Sequence, residues 1–114
     1  MDTCDKVRFS ELFQSLQQDV HQLAKDKGWY ERERNELELI ALIHNELGEA
    51  TEAIREGSMS PKILGYKGVE EELADTIIRI MDMAGYLGLD IAGAIIDKHE
   101  YNKSRTYRHG GKKY

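Results

Sequence analysis

Apolar residues recur three and four positions apart through most of this 114-residue sequence, and only one proline, Pro61, is present. This spacing places apolar side chains on one face of a helix, whereas a half-buried strand requires strict alternation. One proline and ten glycines over this length also favour helices over a turn-rich β fold. The sequence therefore predicts an all-α protein.

Four helical segments follow from the apolar spacing and from the residues at the segment ends. A serine, an asparagine and an aspartate supply N-caps, and glycines follow the first three segments. The predicted helices span residues 10–27, 35–56, 69–87 and 90–105. Residues 57–68 form the one substantial loop, which at this length is either mobile or functional. We expect a four-helix bundle-type protomer.

Charge, cysteine content and hydropathy exclude several classes of protein. The formal net charge is −5, from 16 basic and 21 acidic residues, which argues against a uniformly basic nucleic-acid binder. The single cysteine, Cys4, permits no internal disulfide and no cysteine-rich zinc site. No stretch approaches the roughly 20 apolar residues of a membrane span. We therefore expect one cytoplasmic domain, residues 1–114, that binds neither a nucleic acid polymer nor a membrane.

The net charge conceals an uneven distribution. Residues 98–114 contain six basic residues and one acid, Glu100, and so carry +5, which leaves −10 on the preceding part of the chain. We expect residues 106–114 to form a flexible basic tail. The sequence thus describes an acidic body with a basic end.

Glu46 lies in or beside the apolar stripe of the second helix, about 20° round from Leu39 and about 40° from Ala50. A carboxylate in that position is desolvated, which is costly unless it pairs with a cation or binds a metal. Glu49 follows about 60° away, one turn further on. Glu46 and Glu49 can therefore point at one place.

The third helix carries a second pair of acids, Glu72 and Asp75, with the same spacing of three. If the two helices are antiparallel neighbours, the two pairs meet. Oxygen donors without histidine or cysteine suit a hard cation such as Mg²⁺ or Mn²⁺ rather than zinc. Two plainer interpretations stay open. Acids three apart on a helix are usually only solvated, and Arg79, four residues after Asp75 on the same helix, could pair with these acids.

The fourth helix carries Lys98, Asn102 and Arg105 within about 60° of one another. Their stripe continues one that begins with Ile91 and Ile95, which we expect to face the core. A cationic stripe that points inward suits phosphate, since lysine supplies a point charge and arginine a bidentate fork. The alternatives are a basic end that only aids solubility, or ion pairs with the acids of the second helix.

Three segments of the sequence resemble the MazG-like all-α nucleoside triphosphate pyrophosphohydrolases. They are residues 42–55, 68–82 and 98–112, and the resemblance extends to Gly28 and Trp29 at the end of the first helix. It covers nearly the whole chain, with the three motifs in the family's order. It implies a helical protomer of the all-α NTP pyrophosphatase fold that assembles as a dimer or tetramer.

The resemblance also implies roles for individual positions. Two acids from each of two motifs hold Mg²⁺, with Mn²⁺ as a possible substitute, and one of them, such as Glu49, orients or deprotonates the attacking water. The matching metal positions are Glu46, Glu49, Glu72 and Asp75, of which Glu46 and Glu49 are the catalytic candidates. The matching substrate positions are Lys98, Asn102 and Arg105 for the triphosphate. Independently of the resemblance, Trp29 after the first helix is a candidate base contact, although aromatic residues at a helix end more often pack into a core.

The implied reaction is hydrolysis of a (deoxy)nucleoside triphosphate to the monophosphate and pyrophosphate, a reaction used for nucleotide-pool house-cleaning. A relative within the same superfamily, directed at dUTP or at phosphoribosyl-ATP, is a further possibility. A different class of function is a non-catalytic helical oligomerisation or interaction module, whose charges serve only pairing between copies and solubility.

Overall fold

Four long helices form most of the chain in the computed structural model, which describes residues 1–111 and 113. The side chains of Asp2, Asn35 and Asp90 accept hydrogen bonds from backbone N–H groups at the starts of the first, second and fourth helices. Gly57 and Gly88 end the second and third helices with left-handed backbone angles, φ 65° and 70°. The helices are α1 (Thr3–Asp26), α2 (Glu36–Glu56), α3 (Gly68–Leu87), α4 (Ile91–Lys103) and the four-residue α5 (Arg108–Gly111).

The prediction of an all-α, four-helix protein is confirmed, and two predicted helix ends are wrong. The first helix begins at Thr3 instead of Ser10, because Asp2 provides an N-cap further upstream. The fourth helix ends at Lys103 instead of Arg105. The predicted basic tail contains α5, and its residues 112 and 114 lie outside the described part of the chain.

Helix α3 occupies the centre of the protein, where it packs against α2 and against α1. Helix α4 packs on α1 instead. The buried apolar side chains belong to α2, α3 and α4, and they are Leu39, Ala50, Met81, Ala84 and Ala92. Among the described residues, no helix is both long enough and apolar enough to span a bilayer.

The protein exposes more surface than its size requires. Its accessible surface is 8635 Å², whereas a compact monomer of this mass exposes about 6,400 Å². Its radius of gyration is 16.6 Å, against about 13 Å for a compact domain of this length. Apolar side chains contribute to the excess, since Leu12 is 72% exposed and Ile54 is 66% exposed.

The loop between α2 and α3 folds back on itself. Met59 and Lys67 form an isolated antiparallel bridge, and Ser60 N donates to Tyr66 O at 2.8 Å. At the base of the loop, Gly68 N donates to the carbonyl oxygen of residue 58 at 2.9 Å. These bonds tie residues 58–68 into a closed connection between the two helices that carry the acid pairs.

Gly85 provides a test of the packing between α1 and α3. A Cβ at position 85 would stand 2.7 Å from His21 Cβ, whereas a Cβ at Gly48 on α2 would meet nothing within 4 Å. We expect Gly85→Ala to destabilise the protein by about 1–3 kcal/mol because the helices must move apart. The measurement is urea unfolding followed by circular dichroism at one protein concentration.

Gly48→Ala is the matched control. It replaces a helix-interior glycine where space is free, and we expect it to stabilise the protein by about 0.5–1 kcal/mol. Equal effects of the two substitutions would contradict the close packing of α1 on α3 at Gly85.

Candidate metal centre

The packing of α2 against α3 brings the two predicted acid pairs together. Glu46, Glu49 and Glu72 each offer a carboxylate oxygen within 4.8 Å of the others. Glu71, Glu72 and Asp75 form a second group that meets the same limit. Glu72 belongs to both groups, so the four predicted acids and Glu71 make one continuous carboxylate cluster.

Glu46 is buried in this cluster, with 5% of its surface exposed. Its Oε1 accepts a hydrogen bond from Arg79 Nε at 2.7 Å. Its Oε2 is buried and has no hydrogen-bond partner among the described residues. The pairing with Arg79 that the sequence left open is therefore present, but it accounts for only one of the two oxygens.

The second oxygen matters because a buried carboxylate oxygen without a partner carries an uncompensated desolvation cost. Glu72 Oε2 is likewise buried without a hydrogen-bond partner within the described part of the chain. Two such oxygens within a group of closely spaced carboxylates fit a hard cation, since both acid groups consist of oxygen donors alone.

The pKa values of the cluster diverge. Burial, followed by the nearby carboxyls of Glu49 and Glu46, raises the pKa of Glu72 to about 7. Burial and then the charges of Glu46 and Glu71 raise the pKa of Asp75. For Glu46, burial also acts to raise the pKa, but the hydrogen bond from Arg79 and its positive charge act the other way and the pKa falls. Glu72 therefore keeps its proton at pH values where an ordinary glutamate has lost it.

Two clefts open beside the carboxylate cluster. The smaller, of ≈ 300 Å³, lies between α2 and the α2–α3 loop and is lined by Glu49, Glu71 and Glu72. The larger, of ≈ 580 Å³, is lined by Glu46, Glu49 and Asp75. Glu49 belongs to the lining of both clefts.

Trp29 lines the larger cleft, as a base contact would require. Half of its surface is exposed. The guanidinium carbons of Arg34 and Arg79 each lie 5.9 Å from its ring centroid, within the range of a cation–π interaction. Arg79 therefore contacts the Trp29 ring and also holds Glu46, which connects the aromatic side of the cleft to the carboxylate cluster.

Asp82 holds the turn that carries Trp29, and the sequence analysis missed this role. Tyr30 OH donates to Asp82 Oδ2 at 2.7 Å, and His21 Nδ1 lies 2.8 Å from Asp82 Oδ1. Burial and the bond to Asp82 raise the pKa of Tyr30 above its ordinary value. The sequence signal for this role was the spacing of Asp82, which follows Asp75 by seven residues and therefore lies on the same face of α3.

Lys98, Asn102 and Arg105 do not join the carboxylates within one protomer. Lys98 Nζ lies 4.4 Å from the centroid of the Tyr101 ring, and Arg105 Cζ lies 5.8 Å from the same ring. Lys98 and Asn102 line a separate open groove of ≈ 440 Å³ together with Ile95.

The expected core-facing stripe on α4 is therefore wrong. Ile95 is 44% exposed, whereas Ala92 is fully buried. Helix α4 packs on α1, and this packing leaves Ile95 and Lys98 on the open side of the helix. The cations consequently lie on an uncovered face of the protomer.

Glu71 is a further buried acid at the edge of the cluster, with 6% of its surface exposed. It accepts a hydrogen bond from Ser60 Oγ, and its Oε2 lies 3.8 Å from Lys62 Nζ. Both partners belong to the α2–α3 loop. Glu71 therefore attaches the loop to α3 beside the carboxylate cluster.

Comparisons of the chain with protein-family models, with curated proteins and with solved structures found no match. The function must accordingly be inferred from the residues of the site. Those residues offer a cluster of oxygen donors beside a cleft that carries an aromatic side chain and two guanidinium groups.

The raised pKa of Glu72 predicts a pH dependence of stability. The folded protein holds this proton up to about pH 7, whereas the unfolded chain releases it near 4.5. The contribution to stability is therefore complete below pH 4.5 and is lost as the pH rises through 7. We expect the melting temperature of the cation-free protein to fall over this window, and to fall less in Glu72→Gln.

The measurement is thermal unfolding in a chelating buffer across that pH window, with Mg²⁺ added in a parallel series. Mg²⁺ should raise the melting temperature of the original protein most at the upper end, where the carboxylates are ionised. An identical pH dependence in both proteins would contradict the assignment to Glu72.

Proposed function

We propose that the chain hydrolyses (deoxy)nucleoside triphosphates to the monophosphate and pyrophosphate with Mg²⁺, as its resemblance to the MazG-like pyrophosphohydrolases implies. The observation that carries the proposal is the buried Glu46 Oε2, which lacks a partner among the described residues and lies within the carboxylate cluster. Nucleotide-pool house-cleaning is the role that this reaction serves.

Four acids would hold the cation: Glu46 through Oε2, with Glu49, Glu72 and Asp75. Bound Mg²⁺, or Mn²⁺ in its place, supplies charge neutralisation of the triphosphate and a lower pKa for water at the site. The cluster suits this task because its carboxylates are already gathered by the packing of α2 on α3. Their mutual repulsion would fall with a cation held between them.

Glu49 is the best placed of these acids to act on the attacking water. It is exposed, and it lines both clefts. Its carboxylate would orient the water and accept its proton as the water oxygen bonds to the α-phosphorus. The bond from that phosphorus to the bridging oxygen breaks, and pyrophosphate leaves with the bonding electrons.

Glu46 supports this step through its pairing with Arg79. The bond from Arg79 Nε keeps the pKa of Glu46 below its ordinary value, so Glu46 remains an anion. Trp29 lies in the same cleft and would stack on the nucleobase. Stacking of this kind accepts every base, so Trp29 supports nucleotide binding without selecting the base.

We infer that the active form is a homodimer or homotetramer. The surface of one chain exceeds that of a compact monomer by about 2,200 Å², which is in the range that obligate homo-oligomers bury. A second copy could also bring Lys98, Asn102 and Arg105 to the carboxylates, from which they are separated within one chain. These cations would then bind the triphosphate as the resemblance implies.

A non-catalytic oligomerisation module is the competing function, and the exposed apolar side chains of α1 and α2 are consistent with it. Thermal melts with Mg²⁺ and a panel of nucleotides separate the two functions. A pyrophosphohydrolase gains stability from saturating ligand, and it releases pyrophosphate. A module that serves only assembly does neither.

The first prediction from this function concerns Glu49 and Asp75. We expect Glu49→Ala or Asp75→Ala to lower the rate of Mg²⁺-dependent pyrophosphate release by roughly 10²–10⁴-fold. The helical circular dichroism spectrum should be retained. Pyrophosphate release is measured across the canonical and several damaged deoxynucleoside triphosphates, with Mg²⁺ and with Mn²⁺.

Glu52→Ala is the matched control, because Glu52 lies one turn beyond Glu49 on α2 and pairs with Arg55 at 3.1 Å on the surface. We expect this variant to retain the original activity. Full activity in Glu49→Ala or in Asp75→Ala would refute the site assignment.

The second prediction concerns the assembly. If each site combines the carboxylates of one chain with α4 of another, then Glu49 and Lys98 of the same site come from different chains. Glu49→Ala and Lys98→Ala then each remove one of these two parts. Co-expression of the two variants with different tags should give mixed oligomers that recover part of the activity, since some sites are intact. Mixed oligomers as inactive as each variant alone would place both residues in one chain's site.

A further inference from the structure

Lys62 lies on the α2–α3 loop and reaches the carboxylate cluster within the same protomer. Its Nζ is 3.8 Å from Glu71 Oε2. Lys62 also lines the larger cleft, together with Glu49 and Asp75. It therefore provides a positive charge at the proposed site without the help of a second copy, in contrast to Lys98.

The backbone around Lys62 is held in place by a hydroxyl group. Lys62 N and Ile63 N both donate to Ser60 Oγ at 3.1 Å. The same hydroxyl donates its proton to the buried Glu71 Oε1. Ser60 thus fixes the turn that carries Lys62, and Glu71 anchors Ser60 to α3.

The side chain of Lys62 remains free to move, although its backbone is fixed. The side chain is 77% exposed, and the ion pair with Glu71 is long at 3.8 Å. Because the ammonium stays in water at this distance, the ion pair holds it only weakly. The ammonium can consequently leave Glu71 for a more highly charged anion, while Glu71 keeps its hydrogen bond from Ser60.

The position of Lys62 relative to Trp29 and Glu49 indicates which part of a bound nucleotide would lie beside it. Trp29 lines only the larger cleft, whereas Glu49 lines both clefts. Lys62 lines the larger cleft and pairs with Glu71, which lines the smaller one. A nucleotide stacked on Trp29, with its α-phosphate at Glu49, would direct its distal phosphates toward Lys62.

We propose that Lys62 binds the pyrophosphate portion of the nucleoside triphosphate, with Ser60 and Glu71 as the residues that position it. The proposal rests on the pyrophosphohydrolase function inferred above. A lysine ammonium suits this task because it is a compact charge with three donors, able to follow phosphate oxygens as the product separates. The same contact should give the protein affinity for free inorganic pyrophosphate.

The test compares Lys62→Gln with Lys67→Gln, which removes an exposed lysine from the same loop. Hydrolysis of a deoxynucleoside triphosphate is measured at fixed Mg²⁺, with inorganic pyrophosphate as the inhibitor. We expect Lys62→Gln to raise KM and the inhibition constant of pyrophosphate by about tenfold, as loss of one charge-assisted hydrogen bond predicts. Lys67→Gln should match the original protein, and Lys62→Arg should recover most of the affinity.

The remaining outcomes each count against a proposal. If the original protein hydrolyses the substrate and Lys62→Gln has unchanged KM and pyrophosphate inhibition, then the role of Lys62 is refuted and the pyrophosphohydrolase function stands. Equal losses in Lys62→Gln and Lys67→Gln also refute it, because they show a general effect of loop charge. If the original protein releases no pyrophosphate from any substrate, then the function fails and the role of Lys62 fails with it.

Discussion

Glu46 places a carboxylate between two packed helices, and its hydrogen bond from Arg79 determines how the helices can face each other. A buried anion must meet a cation, so α3 has to present Arg79 where α2 presents Glu46. With that pair in register, Glu49 and Glu72 come within reach of Glu46. Arg79 pairs with one oxygen of Glu46 in this cluster, and the second oxygen stays without a partner among the described residues.

The helices could be predicted because their determinants are local. The N-caps Asn35 and Asp90 and the left-handed glycines Gly57 and Gly88 lie where the sequence pattern indicates. The start of α1 could not be chosen with the same confidence from pattern alone, since Asp2 and Ser10 are both competent N-caps. In the structure, helix α1 runs through Ser10, and its N-cap is Asp2.

The site could be predicted only in part, for a related reason. The spacing of three on two consecutive helices predicted that Glu46 and Glu49 would lie near Glu72 and Asp75 if the two helices packed on each other, as they do. The orientation of α4 depends instead on which of its faces is buried, and the buried residue is the small Ala92 while the larger Ile95 is exposed. Contacts made by Lys62 through a folded loop likewise have no periodic signature in the sequence.

The closed loop between α2 and α3 has a consequence for how the site assembles. All four proposed metal ligands fall within residues 46–75, on two helices that the loop joins directly. Contacts of such short sequence separation require less loop-closure entropy than contacts between distant parts of the chain. The acidic half of the site is thus a local element of structure, whereas any contribution from α4 must wait for long-range docking or for association of chains.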